Sequence, residues 1–238
     1  MISIIITNFN KSQFLNKAIK SCLNQTNKNF EVVFFDDKST DNSLNIATSL
    51  LKNSKINYKI ILRENKKQLH NSYNQMSAIN YSLKFCKGKY ISLLDADDIF
   101  IKNKIKYLHF LINNKNKKII YNSYYILKKK KYSPNKRHFK IRKYIWPIFP
   151  PTSCLTIEKK LLNKIIKKIY FKKYPTCWFD YRLATYVSKH LQKEIHYTFK
   201  NLSVYRQDPT GNDFKYNSLF SNSYWKRKLE AFFLFKRL

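Results

Sequence analysis

The chain has 238 residues, 44% hydrophobic and 16% aromatic, which suits one domain with a sizeable core and excludes a disordered tail. Its formal charge of +33 comes from 47 Lys and Arg against 14 Asp and Glu, a balance that attracts polyanions and acidic lipid headgroups in a salt-dependent way. The four separated cysteines (Cys22, Cys86, Cys154, Cys177) form no C-x-x-C pair, which argues against a zinc site or disulfide frame and for reduced thiols in the cytoplasm.

In chain order, residues 2–6 read as a short buried strand, followed by the polar-rich Thr7-Asn8-Phe9-Asn10. Phe14, Leu15, Ala18, Ile19, Cys22 and Leu23 then fall at helical spacing, with Ser12 as N-cap. A second strand over 31–35 ends at Asp36-Asp37, and a helix from 41 or 42 carries Leu44, Ala47, Leu50 and Leu51. A third strand, 58–62, precedes a helix through Tyr73, Met76, Ile79 and Leu83 that stops at Gly88; a fourth, 89–94, runs directly into Asp95-Ala96-Asp97-Asp98. The second half predicts a helix over 102–113 and a strand over 119–127. A basic loop over 128–143 and a Pro-rich turn (Pro147, Pro150, Pro151) come next. Helices over 158–169 and 179–191 follow, with an amphipathic basic helix over 216–238. No apolar run reaches the roughly 20 residues that span a bilayer, and the first residues lack the basic segment of a signal peptide.

Strand–helix alternation at these intervals requires crossover connections, so the fold class is α/β, with a mostly parallel sheet and helices on both faces. Ligands bind beyond the carboxyl ends of such strands, where three polar clusters converge: 7–10, Asp36-Asp37 and 95–98. The positive charge, 40 Lys and 7 Arg spread over nearly every segment, matches a compositional bias better than a nucleic-acid face. The acids are more informative. Of nine Asp, six lie in two clusters, Asp36/Asp37/Asp41 and Asp95/Asp97/Asp98, and clustered carboxylates repel unless a cation sits between them. Asp-x-Asp at a strand end places both carboxylates on one side, suited to Mg²⁺ or Mn²⁺ bridging two phosphates. The plainer alternative is an acidic turn capping the next helix.

The segments 4–11, Leu23-Asn24-Gln25-Thr26, 36–43, Gly88-Lys89-Tyr90-Ile91 and 94–98 together resemble the family 2 glycosyltransferases, in order and spacing across residues 2–112. The resemblance implies a GT-A-like three-layer α/β/α fold with a C-terminal acceptor-side extension. Residues 1–112 would form the nucleotide-sugar half and 113–238 the acceptor half of one continuous domain. It implies an inverting, metal-dependent transferase that takes a nucleotide-diphosphate sugar, a UDP-sugar above all. The acceptor would be a glycan or lipid-linked hydroxyl in surface polysaccharide synthesis, on the cytoplasmic side or peripheral on the inner face of the membrane. Carried over by position, Thr7 and Phe9 line the nucleoside pocket with Phe9 stacking on the base. Asp37 bonds the base or ribose, and Asp41 caps the next helix. Asp97 is the principal ligand of Mg²⁺ or Mn²⁺, with Asp95 beside it. Asn80 falls where the family has Asn in an Ala-Arg-Asn-like stretch, but Ile79 replaces the Arg. Lys66, Lys67 and His70 are substitutes for that positive charge.

The base that takes the acceptor proton must come from the second half. The family's Glu-Asp pair corresponds to Phe179-Asp180, which makes Asp180 the catalytic candidate, with helix capping as its alternative and Asp208 as runner-up. Arg206 is a candidate diphosphate contact. Trp225, Leu229, Phe232 and Phe233 share one face of the last helix among Lys226, Arg227, Lys228, Lys236 and Arg237. Two readings stand for it: contact with an acidic membrane surface, or a closing helix packed on the acceptor half. Two competitors remain: a basic nucleic-acid-binding protein, which leaves the acidic clusters unexplained, and a haloacid-dehalogenase-type phosphatase, whose nucleophilic Asp follows the first strand rather than the fourth. With only Gly88 and Gly211, a G-x-G-x-x-G dinucleotide site is excluded.

Overall fold

Alternation along β1 (Ile2–Asn8) sends Ile2, Ile4 and Ile6 into one apolar core and Ile5 into the other, so this strand is buried on both faces and lies inside the sheet. The computed structural model describes residues 1–64, 70–135, 145–170, 172–207 and 221–238. β1 pairs in parallel with β2 (Phe30–Asp36) and β4 (Tyr90–Asp95), and β3 (Asn57–Leu62) adds in parallel to β2. Beyond β4 the sheet continues through β8 (Leu155–Glu158), antiparallel to both β4 and β6 (Ile119–Lys128). β9 (Ile195–Arg206) lies parallel to β6, and β5 (Ile99–Phe100) closes that edge antiparallel to β9. The order is β3-β2-β1-β4-β8-β6-β9-β5, with β7 (Lys131–Pro134) forming a hairpin on β6.

Helices α1 (Ser12–Leu23), α2 (Ser43–Lys52) and α4 (Lys104–Lys115) cover one face through Leu15, Ile19, Ala47, Leu51, Ile105 and Leu108. Helices α3 (Asn71–Ser82), α5 (Lys159–Ile169) and α6 (Phe179–His190) cover the other through Met76, Ile79, Leu162, Ile166, Leu183 and Val187. The result is the three-layer α/β/α fold with a mostly parallel sheet. A smaller cluster joins Ala231 and Leu234 of α7 (Asn222–Arg237) to Cys177 and Tyr181. Gly88 admits β4 beside β1, because a Cβ there would lie 2.5 Å from the Ser3 nitrogen.

Several elements differ from the sequence expectation. Ser12 is the first helical residue and not the cap; its N–H donates to Asp41 Oδ2 at 2.8 Å, while Lys11 takes the cap position. Part of the basic loop forms β7, and residues 136–144 lie outside the described residues. β8, only four residues between a 3-10 turn (Thr152–Cys154) and α5, is too short to show a period. β9 escaped because its pairing with β6 shifts register twice near Asn122–Tyr124, and each bulge interrupts the alternation that would reveal a strand. The last helix begins at Asn222, with Ser221 Oγ accepting from Tyr224 N at 3.2 Å; residues 216–220 lie outside the described residues. Among the described residues no helix is long and apolar enough to cross a membrane.

Candidate active site

The strand order reverses at β1: the chain steps to β2 and β3 on one side and returns to β4 on the other. Such a reversal opens a crevice beyond the carboxyl ends of the strands. Thr7 lies there, in register with Asp95 of β4 and Phe35 of β2. Phe9, two residues further and just past the end of β1, is 42% exposed, so it is not a core aromatic. Asn8 donates to Asp36 Oδ1 at 2.9 Å and Ser39 Oγ at 3.0 Å, and Asp36 Oδ2 accepts from Ser39 N at 2.8 Å. Asp36 is thereby spent on joining the two loops. The Asp41 carboxylate accepts from the first N–H of both neighbouring helices, Oδ2 from Ser12 N and Oδ1 from Ser43 N at 3.0 Å.

Asp37 is buried and ion-paired with Arg63, the first residue after β3. The same guanidinium donates to Ser77 Oγ at 3.2 Å and to the Asn74 carbonyl at 3.0 Å, and lies 5.2 Å from the Phe35 ring centroid. It ties the ends of β2 and β3 to the first turns of α3. Beside it is a small, open cleft lined by Phe35, Leu62, Arg63, Glu64, Ser77 and Tyr81. Lys66, Lys67 and Asp208 lie outside the described residues, and His70 is the exposed N-cap residue of α3.

The acidic cluster is held from several sides. Asp95 N donates to Ser153 Oγ at 3.0 Å, and its Oδ1 accepts from Gln75 Nε2 at 3.1 Å. Asn80 sits farther along α3, about 7 Å beyond Gln75 at 1.5 Å rise per residue, so of the two it is Gln75 that touches the acidic cluster. Asp97 accepts from Lys11 Nζ at 2.7 Å. Asp98 is buried; Oδ1 accepts from Arg206 N at 2.9 Å, and Oδ2 has no hydrogen-bond partner among the described residues. The Arg206 side chain donates from Nε to the Asp97 carbonyl at 2.9 Å and covers the Phe14 ring at 4.5 Å, so it braces this turn from the end of β9. Behind it, Lys104 is fully buried, donating to the Ser153 carbonyl at 2.7 Å and Ser203 Oγ at 2.9 Å; burial lowers its pKa to about 8.

Desolvation raises the Asp95 carboxyl well above the usual carboxylate range, followed by the charges of Asp98, Asp97 and Asp180; Lys11 offsets part of this. Burial, then Asp97, pushes Asp98 up to about 7. Negative charge is thus costly at this strand end, and a cation there would relieve it. Among the described residues no group of three or more His, Cys, Asp or Glu is disposed to hold a metal ion. The chemistry of the donor set fits Mg²⁺ or Mn²⁺ held by one or two carboxylates and completed by substrate phosphates and water.

Asp180 opens α6, half-buried in its first turn, and its charge acts on both Asp95 and Tyr121. The fold therefore brings Asp180 toward the end of β4 from the opposite half of the chain. Arg182, two residues on, fixes the approach to Asp180. Its fully buried guanidinium donates to the carbonyls of Cys177, Ile169, Lys173 and Tyr174 at 2.6–3.1 Å. Replacing Arg182 with Met strands those carbonyls, so we expect a loss of at least about 1–3 kcal/mol of stability, measured by urea unfolding.

Arg63, Lys11, Gln75, Ser153 and Arg182 were not assigned roles from the sequence. Arg63 was the most accessible of them, since it ends a strand at the same sheet edge as Asp37. Gln75, Ser153 and Arg182 carry no local signal; only the packing of distant elements reveals them.

The family model described as "Glycosyl transferase family 2" matches residues 3–188. An uncharacterized glycosyltransferase of Rickettsia typhi is 34% identical over 180 residues, 73% of this chain and 52% of that protein. The Escherichia coli UDP-Glc:alpha-D-GlcNAc-diphosphoundecaprenol beta-1,3-glucosyltransferase WfaP is 35% identical over 129 residues, 54% of this chain and 47% of that protein. Among solved structures, S. aureus TarS 1–349 in complex with UDP-GlcNAc superposes with a TM-score of 0.69 at 19% identity, over 96% of this chain and 65% of that one. The mannosyltransferase PcManGT of Pyrobaculum calidifontis, in complex with GDP-Man and Mn²⁺, gives 0.66 at 11% identity, over 98% and 69%. The matched regions span between 18% and 52% of the length of the curated relatives.

Proposed function

Because this chain belongs to glycosyl transferase family 2, we propose that it moves a sugar from a nucleotide-diphosphate donor to a hydroxyl of a glycan or lipid-linked acceptor, with inversion. The observation that carries this reading is the meeting of Asp95, Asp97 and Asp98 with Thr7 across the β1/β4 switch, with Asp180 approaching from α6. UDP is the favoured nucleotide: TarS is solved with UDP and UDP-GlcNAc, and WfaP is named for UDP-Glc. The WfaP name also gives a diphosphoundecaprenol-linked acceptor, which supports a lipid-linked one here and a place in surface polysaccharide synthesis at the cytoplasmic face of a membrane.

In this mechanism the nucleoside lies against Thr7 and Phe9, with its base or ribose on the Asp37–Arg63 pair. Asp97, with Asp95 beside it, would hold Mg²⁺ or Mn²⁺, which supplies charge stabilisation for the departing diphosphate when bound. Lys11, which pairs with Asp97 at 2.7 Å, would have to share or give up that carboxylate for the ion to be held there. Arg206 adds positive potential at the same turn, and Asp180 takes the proton of the acceptor hydroxyl as it attacks.

The test is donor hydrolysis across a set of nucleotide-sugars with Mg²⁺ or Mn²⁺. We expect turnover of at least one UDP-sugar, dependent on the ion. Steeply salt-dependent RNA binding, with no response to any nucleotide-sugar or ion, would instead favour the nucleic-acid reading.

A further inference from the structure

We infer that the outer face of α7 is a docking surface for an anionic lipid bilayer, which deepens the lipid-linked acceptor reading by naming what holds the enzyme at its substrate. The helix is 16 residues, about 24 Å long, and its two sides have separate roles. Ala231 and Leu234 face inward onto Cys177 and Tyr181. Trp225, Leu229 and Phe233, spaced at i, i+4 and i+8, face the other way and are 61%, 58% and 46% exposed. Three large apolar side chains exposed in one stripe need a reason, because isolated exposure is common but an aligned stripe marks an interaction surface.

Charge identifies the occupant. Lys226, Lys236 and Arg237 are exposed on the same helix and, at 100° per residue, flank or continue the stripe. The single acid of α7, Glu230, is turned away; its Oε2 accepts from the Thr176 N–H at 2.8 Å and the Thr176 hydroxyl at 2.6 Å. Of the side chains that α7 itself contributes, the outer face is therefore apolar and cationic and carries no carboxylate. A basic helix with aromatic and Leu side chains on its apolar side lies in the interface of an anionic membrane, rings in the headgroup region and ammonium groups among phosphates. A second copy of the chain would bring the same cations against one another, which disfavours self-association through this face.

The position also makes functional sense. Thr176, held by Glu230, lies in the loop that leads into Asp180, and the Tyr181 hydroxyl donates to the Ile145 carbonyl beside the same cluster. The helix that meets the bilayer is thus fastened to the segment that delivers Asp180. An acceptor carried on a lipid diphosphate would be presented at that side of the sheet.

The experiment is vesicle co-sedimentation of the full chain with phosphatidylcholine alone and with phosphatidylcholine containing about 30% phosphatidylglycerol. Three proteins are compared: wild type, W225S/L229S/F233S and K226Q/K236Q/R237Q. Wild type should sediment with the anionic vesicles only. The apolar variant should lose on the order of tenfold or more in partitioning, and the charge variant should lose its preference for anionic lipid. Circular dichroism and donor hydrolysis without vesicles serve as controls, since all six residues lie on α7 and none belongs to the proposed site. A failure of the docking idea is thereby separated from a failure of the donor-site reading. If the apolar variant binds as wild type does, attraction is diffuse and the proposal is wrong. It is equally overturned if the variant changes only a monomer–dimer equilibrium seen by light scattering.

Discussion

Asp97→Ala should reduce sugar transfer by on the order of 10³-fold or more, and donor affinity should no longer rise when Mn²⁺ is added. The size follows from position. Asp97 is a quarter exposed at the mouth of the crevice, whereas Asp98 is buried against Arg206 and Asp95 is tied to Gln75 and Ser153. Among the described residues its side-chain partner is Lys11, through a pair whose two side chains are 32% and 25% exposed. Such a pair contributes at most about 1 kcal/mol after screening, too little to keep a divalent ion away. The same comparison predicts that Asp97→Ala leaves thermal stability unchanged or slightly raised, because one of three mutually repelling carboxylates is gone. Titration of UDP with and without Mn²⁺, beside a melting curve, separates the two effects. An Asp97→Ala protein that still binds UDP in a metal-dependent way would move the ligand role to Asp95.

The second large effect is expected at Asp180. Asp180→Asn keeps the shape and most of the hydrogen-bonding capacity but removes the base, so transfer should fall by about 10²–10⁴-fold. Donor affinity should stay within about a factor of two to five, since a charge at a helix start contributes only about 0.3–1 kcal/mol. Single-turnover transfer to a hydroxyl acceptor, with UDP binding measured in parallel, is the decisive pair of measurements. Retention of most activity would direct attention to Asp208, which lies outside the described residues. Loss of donor binding together with activity would show that Asp180 supports the diphosphate site.

The first half of this chain was legible because each element there keeps a local period. β1, β2 and β4 are apolar runs bounded by polar clusters, and α1 and α2 repeat at 3–4 residues. Parallel strands must end at the same edge, so the sequence places Thr7, Asp37 and Asp95 together, and the registers Thr7–Asp95 and Asn8–Asp36 bring the ends of β1, β2 and β4 side by side. The second half was harder for an identifiable reason. β8 is four residues long, and β9 joins β6 through bulges, so neither presents an unbroken alternation.

The sequence by itself therefore determined the α/β class, the crossover sheet and the gathering of rare carboxylates at strand ends, since periodicity and strand direction are local properties. The tertiary structure decided which partners those carboxylates have. Arg63 on Asp37, Lys11 on Asp97, Gln75 on Asp95 and Arg206 at Asp98 come from four separate elements or loops. It also decided which side of α7 is buried: amphipathic spacing offers a helix an apolar stripe, but only the position of Cys177 and Tyr181 determines that Ala231 and Leu234 turn inward and leave Trp225, Leu229 and Phe233 outside. Hydrogen bonds and burial depend on what a distant segment brings alongside, and that information is absent from any local window of the chain.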